Sequence, residues 1–224
     1  MPYNSEIQFT LDTICPWTYL AKRRLSRALS QLPPESPVTF TIKYLPYQLY
    51  PDASQQGEDK YQWYKKSRYG DSEEKMNMYT KLMRSYGEKE GIRYEFGGTV
   101  ANTLHAHRCI QHWQGTKGAE VADKFVDSLY RQYFEEEKHP SSHETLSTAA
   151  REAGIEEGEA KAFIEDESEE LMDTKMLIRE QAGNGIDAVP HLVVEGKKRD
   201  MTVEGCREVE EYINALNRVI KESS

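Results

Sequence analysis

Cys15 is the residue of this chain whose surroundings most favour chemistry. It follows an alternating run, with Ile7, Phe9 and Leu11 set against Gln8, Thr10 and Asp12, and it precedes Pro16 and a helical stripe. The thiol therefore falls between a strand end and a helix N-terminus. There the first backbone N–H groups lack partners and the helix dipole is positive, which favours the thiolate, the nucleophilic form. The placement predicts a thiol more acidic than an ordinary cysteine, since cysteines so placed fall to about 3.5–7.5. The competing reading is an inert cysteine packed as a small hydrophobe. Thr18, one helical turn on, brings a hydroxyl within reach of the sulfur.

The elements that must hold Cys15 are legible on both sides of it. Leu20, Leu25, Ala28 and Leu29, with the stem of Arg24, form a helical stripe. Pro16 suits its first turn, where a missing N–H costs nothing. Residues 31–37 carry Pro33, Pro34 and Pro37 and break the helix, and Val38 to Ile42 alternates again. Strand, helix and strand make the opening of a βαβ unit. From about Ser54 to Gly183 the chain reads helical, broken at Gly70, Gly91, Gly97-Gly98, Gly115 to Gly118, His139-Pro140 and Gly154. Strand pattern returns at His191 to Glu195, Gly196-Lys197 makes a turn, Arg199 to Val203 pairs back as a hairpin, and a last helix runs from about Cys206 to Lys221. The expected fold class is α/β, β-α-β … β-β-α, interrupted by a large all-helical insertion. Residues 1–53 and 184–224 form one domain and residues 54–183 the insertion.

Composition limits the partners. In 224 residues there are 38 acidic side chains against 29 Lys and Arg, a net charge of -9, so nothing recruits a phosphate backbone or an anionic lipid surface. Nucleic acid and membrane are not expected partners. Three cysteines, Cys15, Cys109 and Cys206, are too few for a disulfide framework and odd in number, which fits a reducing compartment. With no basic flank and apolar run at the N-terminus and no stretch of about 18 apolar residues, the expected location is cytoplasmic. There is no phosphate-binding glycine loop, no Gly-x-Ser-x-Gly elbow and no zinc signature, and no metal is expected.

Four segments raise the weight on Cys15. Cys15-Pro16-Trp17-Thr18-Tyr19-Leu20 resembles the Cys-Pro-Trp-Cys-Tyr-Leu segment of FrnE-like members of the DsbA family, thioredoxin-fold thiol oxidoreductases with a helical insertion. Leu45-Pro46-Tyr47-Gln48-Leu49-Tyr50-Pro51 looks like that family's Pro-Phe-x-Leu-x-Pro segment, and Asn102-Thr103-Leu104-His105-Ala106-His107-Arg108 is similar to its Asn-Thr-x-x-Ala-His-Arg helix start. Gly185-Ile186-Asp187-Ala188-Val189-Pro190 resembles the Gly-Val-x-Gly-Val-Pro loop in which thioredoxin folds carry a cis proline facing the active cysteine. The resemblance implies a thioredoxin-like fold with Cys15 and Thr18 as catalytic positions and Pro16, Trp17, Val189 and Pro190 as substrate-binding ones.

Where the family has its second cysteine this chain has Thr18. A second thiol would release a mixed disulfide formed at the first; here an external thiol such as glutathione must do so. The segment is also similar to the Ser-Pro-Tyr-Ser and Ser-Pro-Tyr-Ala segments of kappa-class glutathione transferases and 2-hydroxychromene-2-carboxylate isomerases, which share the fold and use the sulfur of bound glutathione. Three readings follow. The first is a single-cysteine thiol-disulfide oxidoreductase acting on a thiol-containing protein, with glutathione as co-substrate. The second is a glutathione-dependent transferase or isomerase acting on an aromatic or polyketide-like small molecule, and the third a thioredoxin-fold binding module. A homodimer is left open.

Other constellations carry less. Ala106, Cys109, Ile110 and Trp113 share one helical face, which places Cys109 in the core, and Cys206 is read as structural. His105, His107 and His112 are expected on the polar side of that helix, solvated or capping, without a second pair to make a metal site. Tyr61, Trp63, Tyr64 and Tyr69 interleave with Lys60, Lys65, Lys66 and Arg68. A helix over the active-site cleft, lining a pocket beside Cys15, is favoured over a single-strand nucleic-acid surface. Glu156 to Glu170 is read as a solvated face.

Overall fold

The computed structural model describes residues 2–223. The alternation of Ile7, Phe9 and Leu11 becomes a nine-residue strand, β1 (Tyr3–Leu11), with all three side chains buried. Helix α1 (Pro16–Ser30) carries the chain over to β2 (Val38–Pro46), which runs parallel to β1 with Ile7 opposite Ile42 and Phe9 opposite Tyr44. After the insertion, β5 (His191–Val194) lies antiparallel to β1, and β6 (Met201–Glu204) antiparallel to β5. The sheet order is β2-β1-β5-β6, and α9 (Val209–Ser223) packs against α1. This is the expected β-α-β … β-β-α plan.

Helix α9 starts at Val209, three residues after the expected Cys206. The Arg207 N–H donates to the Tyr212 hydroxyl at 3.3 Å and the Arg207 Nε to the Glu204 carbonyl at 2.8 Å. These bonds hold the approach to the helix in an irregular path.

The segment between β2 and β5 holds α2 (Lys60–Tyr69), α3 (Glu73–Lys89), α4 (Leu104–Lys117), α5 (Ala119–Phe134), α6 (His143–Glu152), α7 (Glu157–Glu165) and α8 (Leu171–Gly183). It also carries a two-residue ladder, β3 (Glu58–Asp59) with β4 (Thr99–Val100), too short to leave a period in the sequence. Ala106, Cys109, Ile110 and Trp113 are buried as their spacing predicts. Two features fix α1 on α5. The Tyr19 ring stacks on Tyr130 at 4.8 Å, and the buried Lys22 ammonium meets Asp127 at 2.7 Å and Asp123 at 3.1 Å. A helix mounted in this way holds its N-terminus, and Cys15, in a fixed place.

Gly98 supports the ladder. Its φ is +81°, and a Cβ there would lie 2.2 Å from the Glu137 carbonyl oxygen, while its own carbonyl accepts the Lys60 N–H at 2.9 Å. Gly70, at φ +61°, ends α2 with open space around it. Gly70→Ala should therefore cost about 1 kcal/mol, from backbone conformation only. Gly98→Ala should cost measurably more, because backbone must move as well. Urea unfolding of the two variants checks this; equal losses would show that the Glu137 turn yields freely.

Candidate active site

Cys15 is the N-cap residue of α1, in extended backbone geometry at φ -88° and ψ 114°. Its N–H donates to the Asp12 carbonyl at 3.0 Å, and its carbonyl accepts the N–H groups of Thr18 at 3.1 Å and Tyr19 at 3.3 Å. The Val189-Pro190 peptide is cis, and the Cys15 Sγ lies 3.8 Å from the Val189 carbonyl oxygen, to which the thiol donates. Thr18 is fully buried. Its hydroxyl reaches the carbonyls of Cys15 at 2.7 Å and Asp12 at 2.8 Å and accepts a hydrogen bond from the Tyr130 hydroxyl at 2.8 Å. The Pro16 carbonyl accepts from the Tyr94 hydroxyl at 2.6 Å, and the half-buried Trp17 leans on Tyr86 at 5.6 Å. The residues singled out from the sequence thus meet at one place, the end of β1 opposite the loop before β5.

The acidity expected of Cys15 is not found. Burial pushes the thiol from its ordinary 9.0 up to about 12, the Thr18 N–H pulls against this, and the Asp12 carboxylate adds to the rise. The Trp17 N–H and the Thr18 hydroxyl also favour the thiolate. Magnitudes explain the outcome: a rise of this size sets roughly 4 kcal/mol against the thiolate, whereas a helix terminus supplies at most about 2 kcal/mol in its favour. The dipole is present and desolvation outweighs it. Cys109, also raised by burial to about 12, and Cys206, raised by burial to about 11 against the opposing Arg24 guanidinium, are alike in this. Position distinguishes Cys15 from them, and acidity at rest does not.

The enclosure is aromatic. The phenols of Tyr50, Tyr64, Tyr79, Tyr94 and Tyr130 are held above their ordinary range, first by burial and further by the nearness of Cys15. Tyr50 packs on Trp63 at 4.3 Å, and Tyr64 stacks on Tyr79 at 6.0 Å. Of the aromatic cover expected from α2, Tyr64 is buried near the thiol, and the other rings near it come from elsewhere: Tyr50 follows β2, Tyr79 is on α3, Tyr94 follows α3 and Tyr130 is on α5. Five surface cavities of about 280 to 520 Å³ are lined by other residues, and Cys15 lines none of them.

A buried thiol at a helix N-terminus thus faces a cis proline just before β5. Residues 6–217 match the sequence profile of the DSBA-like thioredoxin domain. The chain belongs to this family. No curated protein matches it. Among solved structures, a probable DsbA oxidoreductase from Streptomyces coelicolor superposes with a TM-score of 0.82 at 22% identity, covering 98% of this chain and 92% of that one. A 2-hydroxychromene-2-carboxylate isomerase gives 0.68 at 15% identity, covering 96% of each chain. The cytosolic disulfide reductase DsbM of Pseudomonas aeruginosa gives 0.62 at 12% identity, covering 96% and 95%. DsbM is also known with GSH, in a structure with a TM-score of 0.56 at 13% identity, covering 96% of each chain. These neighbours share the fold of this DsbA-like protein.

Two residues near the site, Asp12 and Asn102, were given no role in the sequence reading. Asp12, wholly buried, accepts the Leu49 N–H on Oδ2 at 2.7 Å. Asn102 accepts from the Gln48 side chain and the Leu104 N–H, each at 2.9 Å, and donates to the Pro51 carbonyl at 2.7 Å. It thereby pins the loop after β2 to the start of α4. The histidine expectation, solvated or capping, is corrected: His105 and His112 each expose only 13% of their side chains, and His107 less. His107 is buried, 1% exposed, with Nε2 3.5 Å from Asp12 Oδ1. His105 and His112 instead meet Glu167 and Glu170. The signal was available: His107 stands three residues before Ile110, on the apolar stripe. Among the described residues no cluster of three or more His, Cys, Asp and Glu is arranged to hold a metal ion, and no helix is long and apolar enough to cross a membrane.

Proposed function

We propose that this DsbA-like protein is a thiol-disulfide oxidoreductase acting through Cys15 as a single thiol, with glutathione as the external thiol. The observation that carries this is the pairing of Cys15 Sγ with the carbonyl of Val189, the residue before Pro190, while the position one turn on is Thr18. The residue before such a proline offers its N–H and C=O to an extended thiol peptide. The Cys15 thiolate attacks one sulfur of a disulfide, and the other sulfur leaves as a thiolate and takes up a proton. A glutathione thiolate then attacks the mixed disulfide, regenerating Cys15 and carrying the second half away as a new disulfide. DsbM, a fold neighbour known with GSH, supports the choice of external thiol. The Cys15 proton must leave before attack, and substrate binding at the Val189 carbonyl removes the acceptor that holds it.

One observation favours a second reading. At rest the thiol is protonated and donates outward, so a glutathione thiolate bound along Val189-Pro190 would accept its proton as a hydrogen bond and keep the reacting sulfur. Under that reading the bound thiolate attacks an electrophilic aromatic substrate, and the protein is a transferase or isomerase. Mass spectrometry after exposure to oxidised glutathione, with calorimetry using reduced glutathione, separates the two. The oxidoreductase reading expects one glutathione adduct per wild-type chain and none in Cys15→Ser. Binding of reduced glutathione by Cys15→Ser with no adduct in wild type would favour the transferase, and neither binding nor adduct would overturn both.

A further inference from the structure

The polar groups behind Cys15 carry one more inference, which rests on the reading of Cys15 as nucleophile. Asp12 lies between β1 and α1 with no exposed surface. Its Oδ2 accepts the Leu49 N–H at 2.7 Å and its Oδ1 the Ile14 N–H at 3.4 Å. Opposite, from α4, stands His107, with Nε2 3.5 Å from Asp12 Oδ1. That separation sets a ring nitrogen beside the carboxylate without the geometry of a hydrogen bond. Both ring nitrogens of His107 lack hydrogen-bond partners, as do the buried hydroxyls of Thr13, next to Asp12 in the chain, and of Tyr133. Tyr133 is raised first by burial and next by the charge of Asp12. Buried polar atoms are ordinarily paired, and these unpaired ones gather around a single carboxylate beside the reactive sulfur.

We propose that His107 is a positioning residue acting through Asp12: a proton on its Nε2 faces the carboxylate, offsets the negative charge beside Cys15, and so sets how readily the thiolate forms. The helical segment between β2 and β5 thereby tunes a thiol that the thioredoxin-like sheet presents. The carboxylate does oppose the thiolate, so whatever offsets it favours reaction. The other titratable groups facing the pair are phenols: Tyr47 and Tyr50 after β2, and Tyr130 and Tyr133 on α5. Tyr64 of α2, Tyr79 of α3 and Tyr94 complete the surround of the sulfur. Burial raises all seven, so they stay neutral where a thiol is assayed. The nearby cation Arg68 is held on the Tyr50 hydroxyl at 2.8 Å.

The test is the rate of Cys15 alkylation by iodoacetamide as a function of pH, with each cysteine followed separately by mass mapping. Below the midpoint the rate follows the thiolate fraction, so a shift of half a pH unit reads as about threefold. Asp12→Asn should label at least about threefold faster than wild type, and His107→Phe at least about threefold slower. The double variant should behave as Asp12→Asn, because without the carboxylate charge His107 has nothing to offset. His107→Gln, which keeps an N–H donor, should lie closer to wild type than His107→Phe. A His107→Phe slowing that persists in the Asp12→Asn background, or no change in either single variant, overturns the proposal. Cys109, fully buried, must stay unlabelled in a folded variant. If it labels in His107→Phe, His107→Leu replaces that variant and is held to the same criteria. Cys15 unlabelled in every variant, with no glutathione adduct, would instead refute its role as nucleophile.

Discussion

Replacing Thr18 by Cys should raise dithiothreitol-driven insulin reduction by at least about tenfold, because the variant gains a thiol that can release its own mixed disulfide. The geometry is favourable. Thr18 and Cys15 lie three residues apart across the first turn of α1, joined by the Thr18 N–H to the Cys15 carbonyl at 3.1 Å, and positions so spaced fall within the roughly 4.4–6.8 Å Cα separation that a disulfide spans. The change is not free. The Thr18 hydroxyl accepts from Tyr130 and donates toward the carbonyls of Asp12 and Cys15, and a cysteine is a poor substitute in each bond. A buried phenol left unpaired costs about 1–3 kcal/mol, so the variant should unfold at lower urea while turning over faster. Thr18→Val, which loses the hydroxyl and gains no thiol, supplies the control: it should show the stability loss without the gain. If wild type already reduces insulin as fast as Thr18→Cys with no glutathione present, the absence of an internal resolving thiol does not limit this protein.

The contrast between what the sequence showed and what it hid follows the range of each interaction. Strand β1, helix α1 and the α4 stripe were legible because their periods are local, and Cys15 at the N-terminus of α1 follows from two adjacent elements. The Val189-Pro190 loop was legible through resemblance, since no local pattern links it to a thiol 174 residues away. The state of that thiol was not legible. Its enclosure depends on Tyr64 and Tyr79, carried by α2 and α3 and folded back over the site, and desolvation by distant rings is invisible to any window of sequence. The same limit hid Asp12, whose neighbours Leu49 and His107 come from the loop after β2 and from α4. A local rule gave the correct sign for the helix dipole and the wrong sign for the total.

At Lys60 burial again opposes a charge. The first residue of α2, it is 1% exposed, donates from Nζ to the Tyr133 carbonyl at 3.0 Å, and holds its ammonium 4.2 Å from the centre of the Tyr133 ring. Burial lowers it from its ordinary 10.5 to about 8, against the opposing pull of Glu137 and Glu95. Below pH 8 the folded protein carries a buried ammonium, and its full desolvation cost is present. As the pH rises from about 8 toward 10.5, the folded state gives up that proton while the unfolded chain keeps it, so folding becomes more favourable through this residue. The gain should reach about 2 kcal/mol by a pH of roughly 9.5. The buried phenols and thiols act in the opposite sense. Held above their ordinary values, they keep protons in the folded state that the unfolded chain loses, so their contribution is lost as pH rises above the unfolded values. Wild type and Lys60→Met share those groups, and the difference between the two proteins isolates Lys60. Urea unfolding at several values between about pH 7 and pH 9.5 should show wild type gaining on Lys60→Met as the pH rises. A constant difference would mean that the Tyr133 carbonyl and ring compensate the ammonium fully. Lys60 would then be a structural cation pinning α2 to α5, the helix whose Tyr130 and Tyr133 stand behind Thr18 and Asp12.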